Sequence, residues 1–207
     1  MQYRLLTPSQ FESLRPLTDI AIVTTHSPWP LAHRLPHAAS DLIVGQIANS
    51  IQDRFMGRTV EVNLGVALAM SGFEFTAFTD SVQSFVPSLP ITLVLLDRML
   101  IRDRESYELP NGRCVFALDW WQWLRARVPE DRLQDAFLYL CLSHPAYQTS
   151  LEFRSLGIQS DTAKLMADYG HDLLSHIVCD ACNALLALQT KLVGSSTDET
   201  KGFGPTK

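Results

Sequence analysis

The side chains of this chain best suited to chemistry fall into two groups far apart in sequence. In the first, His33, His37 and Asp41 are spaced by four. On a helix that spacing aligns imidazole, imidazole and carboxylate on one face, and with His26 it offers the donors of a single divalent metal such as zinc. Pro36 interrupts a regular helix there. The plainer reading, which the sequence favours, is a solvated loop with Asp41 as a helix cap and no cofactor. In the second group His144 precedes Pro145. A histidine titrates near neutrality and so passes protons without a metal; the structural alternative is a helix-end histidine against free carbonyls. Trp120, Trp121 and Trp123 cluster between the two groups, and of such aromatic residues most are core, with one at most lining a pocket. Cys179 and Cys182 form a Cys-x-x-Cys after His176, but inside a strongly apolar helical pattern without a second pair, which reads as core packing.

These residues must be positioned by the elements around them. Thr7-Pro8-Ser9 with Phe11 and Leu14 predicts a short first helix ended by Pro16. Residues 18–24 carry Ile20, Ala21, Ile22 and Val23, a continuous apolar run suited to a strand covered on both faces. The stretch 25–40 has prolines and histidines but no apolar period, and predicts an irregular loop at the strand end, where function is commonly placed. Ser40 and Asp41 then offer an N-cap to a helix through Leu42, Ile43, Ile47, Ile51 and Phe55. Further strands are predicted at 59–66, 91–96 and 113–118, the last after a Pro110-Asn111-Gly112 turn. Asp119 caps a short helix through the tryptophans, Pro129 opens another, and Ser160-Asp161 opens a long one with Met166, Leu173, Ile177, Ala181, Leu185 and Leu188 on one face. Buried strands interleaved with helices predict an α/β fold with a mostly parallel sheet.

The chain has 207 residues and a net charge of −5, so one domain over residues 1–193 is expected, and nucleic acid is not an expected partner because no basic run could neutralise phosphates. From Gly194 on, polar residues with glycines and a proline predict a disordered tail, 194–207. No apolar run approaches the roughly 18 residues of a membrane span and residues 1–6 lack a signal-like core. Four cysteines without framework spacing read as reduced thiols, so a cytoplasmic protein without a membrane partner is expected.

Two ordered segments resemble the creatininase family of amidohydrolases. The first signature there, Gly-Ser-x-Glu-x-His-Gly-Pro-His-Leu-Pro followed by Thr-Asp and a helix, is matched by Thr24-Thr25-His26-Ser27-Pro28, an insertion through His33, Arg34-Leu35-Pro36 and then Ser40-Asp41. The second, His-Ala-Gly-Glu-x-Glu-Thr-Ser then Gly-x-x-Gly-Asp-Pro and a helix, is matched by His144-Pro145-Ala146-Tyr147-Gln148-Thr149-Ser150, by Gly157 to Asp161, and by Ala163 and Gly170. The departures fall on the metal ligands. The glutamate before the first histidine falls at Thr24, the Gly-His-Gly-Gly-Asn after a central strand falls at Leu95-Leu96-Asp97-Arg98-Met99-Leu100, and the glutamate of Glu-Thr-Ser is Gln148; the chain is also short between Phe75 and Ile91.

The resemblance implies a three-layer α/β/α sandwich and a homo-oligomer. It further implies action on a C–N bond of a small polar molecule, an amide, lactam or amidine, in a biosynthetic or catabolic pathway. His144 would be the general acid/base, and Asp41 would orient water or bind a cationic nitrogen. His26, His33, His37, Trp121, Gln148 and Thr149 would contact the substrate. A dinuclear centre needs several carboxylate and imidazole ligands, and the departures leave Asp41 and His26. The competing expectations are a catalytically silent family member that binds a ligand or serves as a structural subunit and, apart from any resemblance, an α/β binding domain with its ligand at the carboxyl ends of the strands.

Overall fold

A computed structural model of the chain describes residues 5–27, 35, 38–66, 88–98, 102–109 and 112–198. The histidines His33 and His37, residues 67–87 and residues 199–207 lie outside the described residues.

Helix α1 (Pro8–Leu14) is held by a capping box in which Thr7 and Gln10 satisfy each other's backbone N–H, and it ends at a 3-10 turn, Arg15–Leu17, containing Pro16. Strand β1 (Ile20–His26) follows, then α2 (Ala39–Arg54), β2 (Thr59–Val66), β3 (Ile91–Leu96), β4 (Arg104–Glu108) and β5 (Cys114–Asp119). Helix α3 (Trp120–Arg125) starts on the Asp119 cap, whose carboxylate accepts from Gln122 N–H, as its sequence predicts. A 3-10 turn at Glu130–Arg132 leads into α4 (Leu133–Leu142), followed by the short α5 (Pro145–Gln148) and α6 (Leu151–Ser155) and the 39-residue α7 (Ser160–Asp198).

The five strands form one sheet in the order β2-β1-β3-β5-β4. The first four in that order run parallel, and β4 pairs antiparallel with β5. The β4 strand escapes the sequence pattern because its residues, Arg-Glu-Ser-Tyr-Glu, carry no apolar alternation: it is an edge strand, half exposed and charged, which protects the sheet from pairing with another chain. By contrast β1, β3 and β5 are apolar and buried along most of their length.

Alternation along β1 assigns the two faces. Ile20 and Ile22, with Leu93, Leu95, Phe116 and Leu118, pack against α2, α4 and α7; Ala21 and Val23, with Val94, Leu96, Val115 and Ala117, pack with Phe11 of α1 and Leu89 on the other. Helix α7 supplies Ile177, Ala181 and Leu185, all fully buried, as its periodicity predicts. By length and composition alone α7 could cross a membrane, a possibility the run-length argument did not register because its apolar residues are interspersed with polar ones. Its buried positions, among them Ala167, Leu174, Val178 and Leu185, form one stripe that packs in the main core. At Gly170 it meets α4 so closely that a Cβ would lie 1.9 Å from the Tyr139 carbonyl oxygen. The helix continues to Asp198, four residues beyond the Gly194 boundary expected for the tail.

One local expectation is corrected. Ser40 and Asp41 do not cap α2: the helix begins at Ala39, Ala38 holds the cap position without a side-chain hydrogen bond, and Ser40 and Asp41 lie within the first turn. Starting two residues earlier than a cap at Ser40 requires turns Ser40 into the core, and it leaves Asp41 exposed near the positive end of the helix dipole.

Candidate functional site

Going from β1 to β2 the chain steps to one side of β1, and β3 then pairs on its other side. The carboxyl ends of β1 and β3 therefore flank the point where strand order reverses, the position at which open parallel sheets form a crevice. Three neighbouring strands finish there in polar residues: His26 and Ser27 after β1, Asp97 and Arg98 after β3, Asp119 at the end of β5.

Two of the carboxylates are committed to closing this edge. Asp97, 1% exposed, accepts from Ser27 N–H at 2.6 Å on Oδ1 and from Arg98 Nε at 3.1 Å on Oδ2, with Arg98 Nη2 3.0 Å from that same oxygen. It thus ties the exit of β1 to the exit of β3. Asp119 accepts from Arg98 N–H and from Gln122 N–H, each at 3.1 Å, and ties β3 to α3. Arg98 itself turns the chain with φ +58°, a left-handed conformation that costs a non-glycine residue about 1 kcal/mol or more and is held by these two aspartates. Its guanidinium carbon lies 5.0 Å from the Trp121 ring centroid, and Trp121 stacks on Phe137 at 4.4 Å. Trp121 is half-buried between a cation and an aromatic ring.

His26 and Asp41 come together. The Nδ1 of His26 is 3.5 Å from Asp41 Oδ1, an ion-pair separation somewhat longer than a hydrogen bond. The His26 side chain is 16% exposed and that of Asp41 51%, so the imidazole is mostly covered while the carboxylate reaches solvent. Beside it the β1–β2 register slips between Thr24 and Thr25, with Leu64 of β2 the extra residue, and Thr25 Oγ1 donates to Gly65 O at 3.1 Å where Gly65 takes φ +69°. Such an extra residue bends β2 and increases the local twist beside the end of β1.

His144 occupies the break between α4 and α5. Its Nδ1 accepts from Ala146 N–H at 3.1 Å and caps α5, so a neutral imidazole carries its proton on Nε2. This is the opposite of the helix-end role against carbonyls. Among the described residues no hydrogen bond or ion pair joins His144 to Asp41. Gln46, five residues along α2 from Asp41, holds the His144 backbone: its amide donates to Leu140 O at 3.2 Å and accepts from Ser143 Oγ and His144 N–H at 3.1 Å each in the orientation that satisfies both its ends. Gln148 and Thr149 serve the same connection: Gln148 Nε2 donates to Leu142 O at 2.6 Å and Thr149 Oγ1 to Ala146 O at 3.1 Å, filling carbonyls that the helix break leaves open. Gln148 also lines a separate groove of about 550 Å³ with Phe153, Lys164 and His171.

Of the four possible metal donors, His26 and Asp41 are adjacent, and His33 and His37 lie outside the described residues; no group of three donor side chains occurs among the described residues. The cysteines are free, with Cys114, Cys141 and Cys182 buried, and burial pushes the Cys141 thiol up to about 12. The sequence did not single out Asp97 or Arg98; the available signal was a charged pair directly after an all-apolar strand. No family model, no curated protein and no solved structure matches this chain.

Proposed function

We propose that this is a divergent creatininase-like protein, a three-layer α/β/α homo-oligomer, that hydrolyses a C–N bond of a small polar amide, lactam or amidine by metal-free acid–base chemistry. The observation that carries the proposal is the His26–Asp41 pair at the point of strand-order reversal. Asp41 favours the tautomer with a proton on His26 Nδ1, which leaves Nε2 as a base. His144 has the complementary tautomer, with Nδ1 occupied by Ala146 N–H and a proton to give on Nε2. His26 Nε2 takes a proton from water as the oxygen attacks the carbonyl carbon; the C–N bond then breaks and the leaving nitrogen takes the proton of His144 Nε2. Proton return from His26 to His144 through solvent resets the site.

The described donors do not fit the two-metal centre that the resemblance implies. A threonine with an inward hydroxyl stands where a carboxylate ligand would be, and after β3 the Arg98 guanidinium already neutralises Asp97. A second reading, a catalytically silent ligand-binding or structural subunit, is favoured by one observation: Asp97 and Asp119 both spend their carboxylates on closing loops.

The test is turnover of a panel of small lactams, amides and amidines followed by proton NMR, with metal analysis of the same sample. Catalysis should fall at least about a hundredfold in both His26→Ala and His144→Ala with circular dichroism unchanged. Full activity in either variant rejects the acid–base assignment, stoichiometric zinc or manganese rejects the metal-free mechanism, and an inert wild type selects the silent reading.

A further inference from the structure

Where α4 and α7 meet, their backbones nearly touch: a Cβ on Gly170 would have no room beside the Tyr139 carbonyl. Next to that contact the rings of Tyr139 and Tyr169 lie one on the other, with centroids 5.9 Å apart at 30°. From this pair a groove of about 430 Å³ runs between the two helices to His176 on α7 and to Val128 and Arg132 ahead of α4. Tyr169 and His176 are two turns of helix apart, which makes the groove about 10 Å long. Ala136 is buried and Leu173 half-buried, so its floor is apolar. Tyr169 is 53% exposed, which leaves much of an aromatic ring in water beside that floor. Carboxylates stand on both walls, Asp135 from α4 and Asp172 from α7. They are not equivalent. The Arg132 guanidinium is 3.9 Å from Asp135 and also 3.9 Å from Asp131, whereas Asp172 has no hydrogen bond or ion pair among the described residues.

We propose that this groove binds a small organic ammonium ion with an aromatic body, an arylalkylamine, at a site apart from the His26–Asp41 pair and independent of the proton chemistry proposed there. The ligand ring lies on the apolar floor beside Tyr139 and Tyr169, and its ammonium group meets Asp172 with Asp135 across the groove. Each part follows from the lining. Tyrosine rings pack another aromatic ring and attract a cation. A carboxylate beside apolar surface attracts that cation more strongly than one in open water. The volume is that of an ordinary small-molecule site. An anion of the same shape would face the unpaired Asp172 and gain only a guanidinium that two carboxylates already share.

The full-length chain with carbon-13 in its tyrosine rings tests this, the Tyr139 and Tyr169 signals being assigned through Tyr139→Phe and Tyr169→Phe. Phenethylamine is the probe. It is compared with 3-phenylpropionate, which carries the opposite charge, and with 2-cyclohexylethylamine, which keeps the ammonium group without the aromatic ring. Phenethylamine should move both ring signals saturably, with a dissociation constant of about a millimolar for a ligand of this size. The cyclohexyl amine should bind about threefold more weakly, and 3-phenylpropionate should leave the signals in place. Asp172→Asn and Tyr169→Ala should each weaken phenethylamine about threefold, the weight of one exposed ion pair or cation–π contact, with circular dichroism unchanged. Should Tyr169→Ala disturb the fold, the charge contrast and Asp172→Asn decide. No saturable movement at tens of millimolar amine overturns the proposal, as does equal binding of 3-phenylpropionate or binding indifferent to Asp172→Asn. Ring signals that shift with protein concentration in the absence of amine would mean that a second copy of the chain covers the groove, and would overturn it too.

Discussion

Gly170→Ala should destabilise this protein even though alanine is the better helix former. The added Cβ would lie 1.9 Å from the Tyr139 carbonyl oxygen and 2.5 Å from its carbon, with Leu140 N at 3.1 Å. These are backbone atoms of α4, so no side chain can swing aside. Retreat to 3.0 Å, the closest approach that a Cβ tolerates, requires about 1.1 Å of movement between α4 and α7. That movement would loosen the packing of Leu140 and Cys141 on Leu174 and Ile177, all of them in the main core. Overpacking of this kind costs about 1–3 kcal/mol and occasionally more, and the rigidity of both partners places this case at the upper end. Improved helix propensity returns about 1 kcal/mol. The net loss is about 2 kcal/mol, a fall in melting temperature of roughly 4–8 °C for a chain of this size. Gly45 provides the control: it lies within α2 with nothing within 4 Å of its ideal Cβ, so Gly45→Ala should gain up to about 1 kcal/mol. Thermal and urea unfolding followed at 222 nm measure both variants. A Gly170→Ala protein that melts with the wild type or above it would refute the close helix contact.

Three further outcomes follow from the buried groups. Asp97→Ala leaves the Ser27 N–H and the Arg98 guanidinium without their shared acceptor and should cost roughly 3 kcal/mol in urea unfolding, whereas an exposed carboxylate would cost almost nothing. Burial raises the Cys141 thiol from 9.0 to about 12. The unfolded chain therefore loses this proton first, and the thiol's contribution to stability, full below pH 9, declines as pH rises from about 9 to about 12. In Ellman's assay at pH 8 the half-buried Cys179 should react first and Cys141 last; fast labelling that survives Cys179→Ser would contradict the burial of Cys114, Cys141 and Cys182.

Local patterns made the scaffold readable. Continuous apolar runs marked β1, β3 and β5 because a strand covered on both faces needs apolar residues at every position, and the 3.6-residue period marked α7 because one broad face is buried. The caps at Thr7 and Asp119 were legible because a side chain and the backbone it satisfies are neighbours in sequence. Strand β4 was not legible, since an edge strand needs no apolar alternation, and α5 and α6 are too short to complete a helical period. The same limit applied to the candidate site: His26 and Asp41 were singled out by type, but what joins them is the place where β1 ends in the sheet and a helix that starts two residues earlier than a cap at Ser40 suggested.

Residue order by itself determined which segments must be buried and which ends must be capped, since both depend on neighbours a few positions away. Only the tertiary structure decided that β3 lies beside β1, that Asp97 closes the turn after His26 across seventy residues of chain, and that Gly170 admits the carbonyl of Tyr139. Those outcomes depend on pairing between distant segments, and the free energy of such pairing belongs to the assembled layers and to no stretch of sequence taken alone.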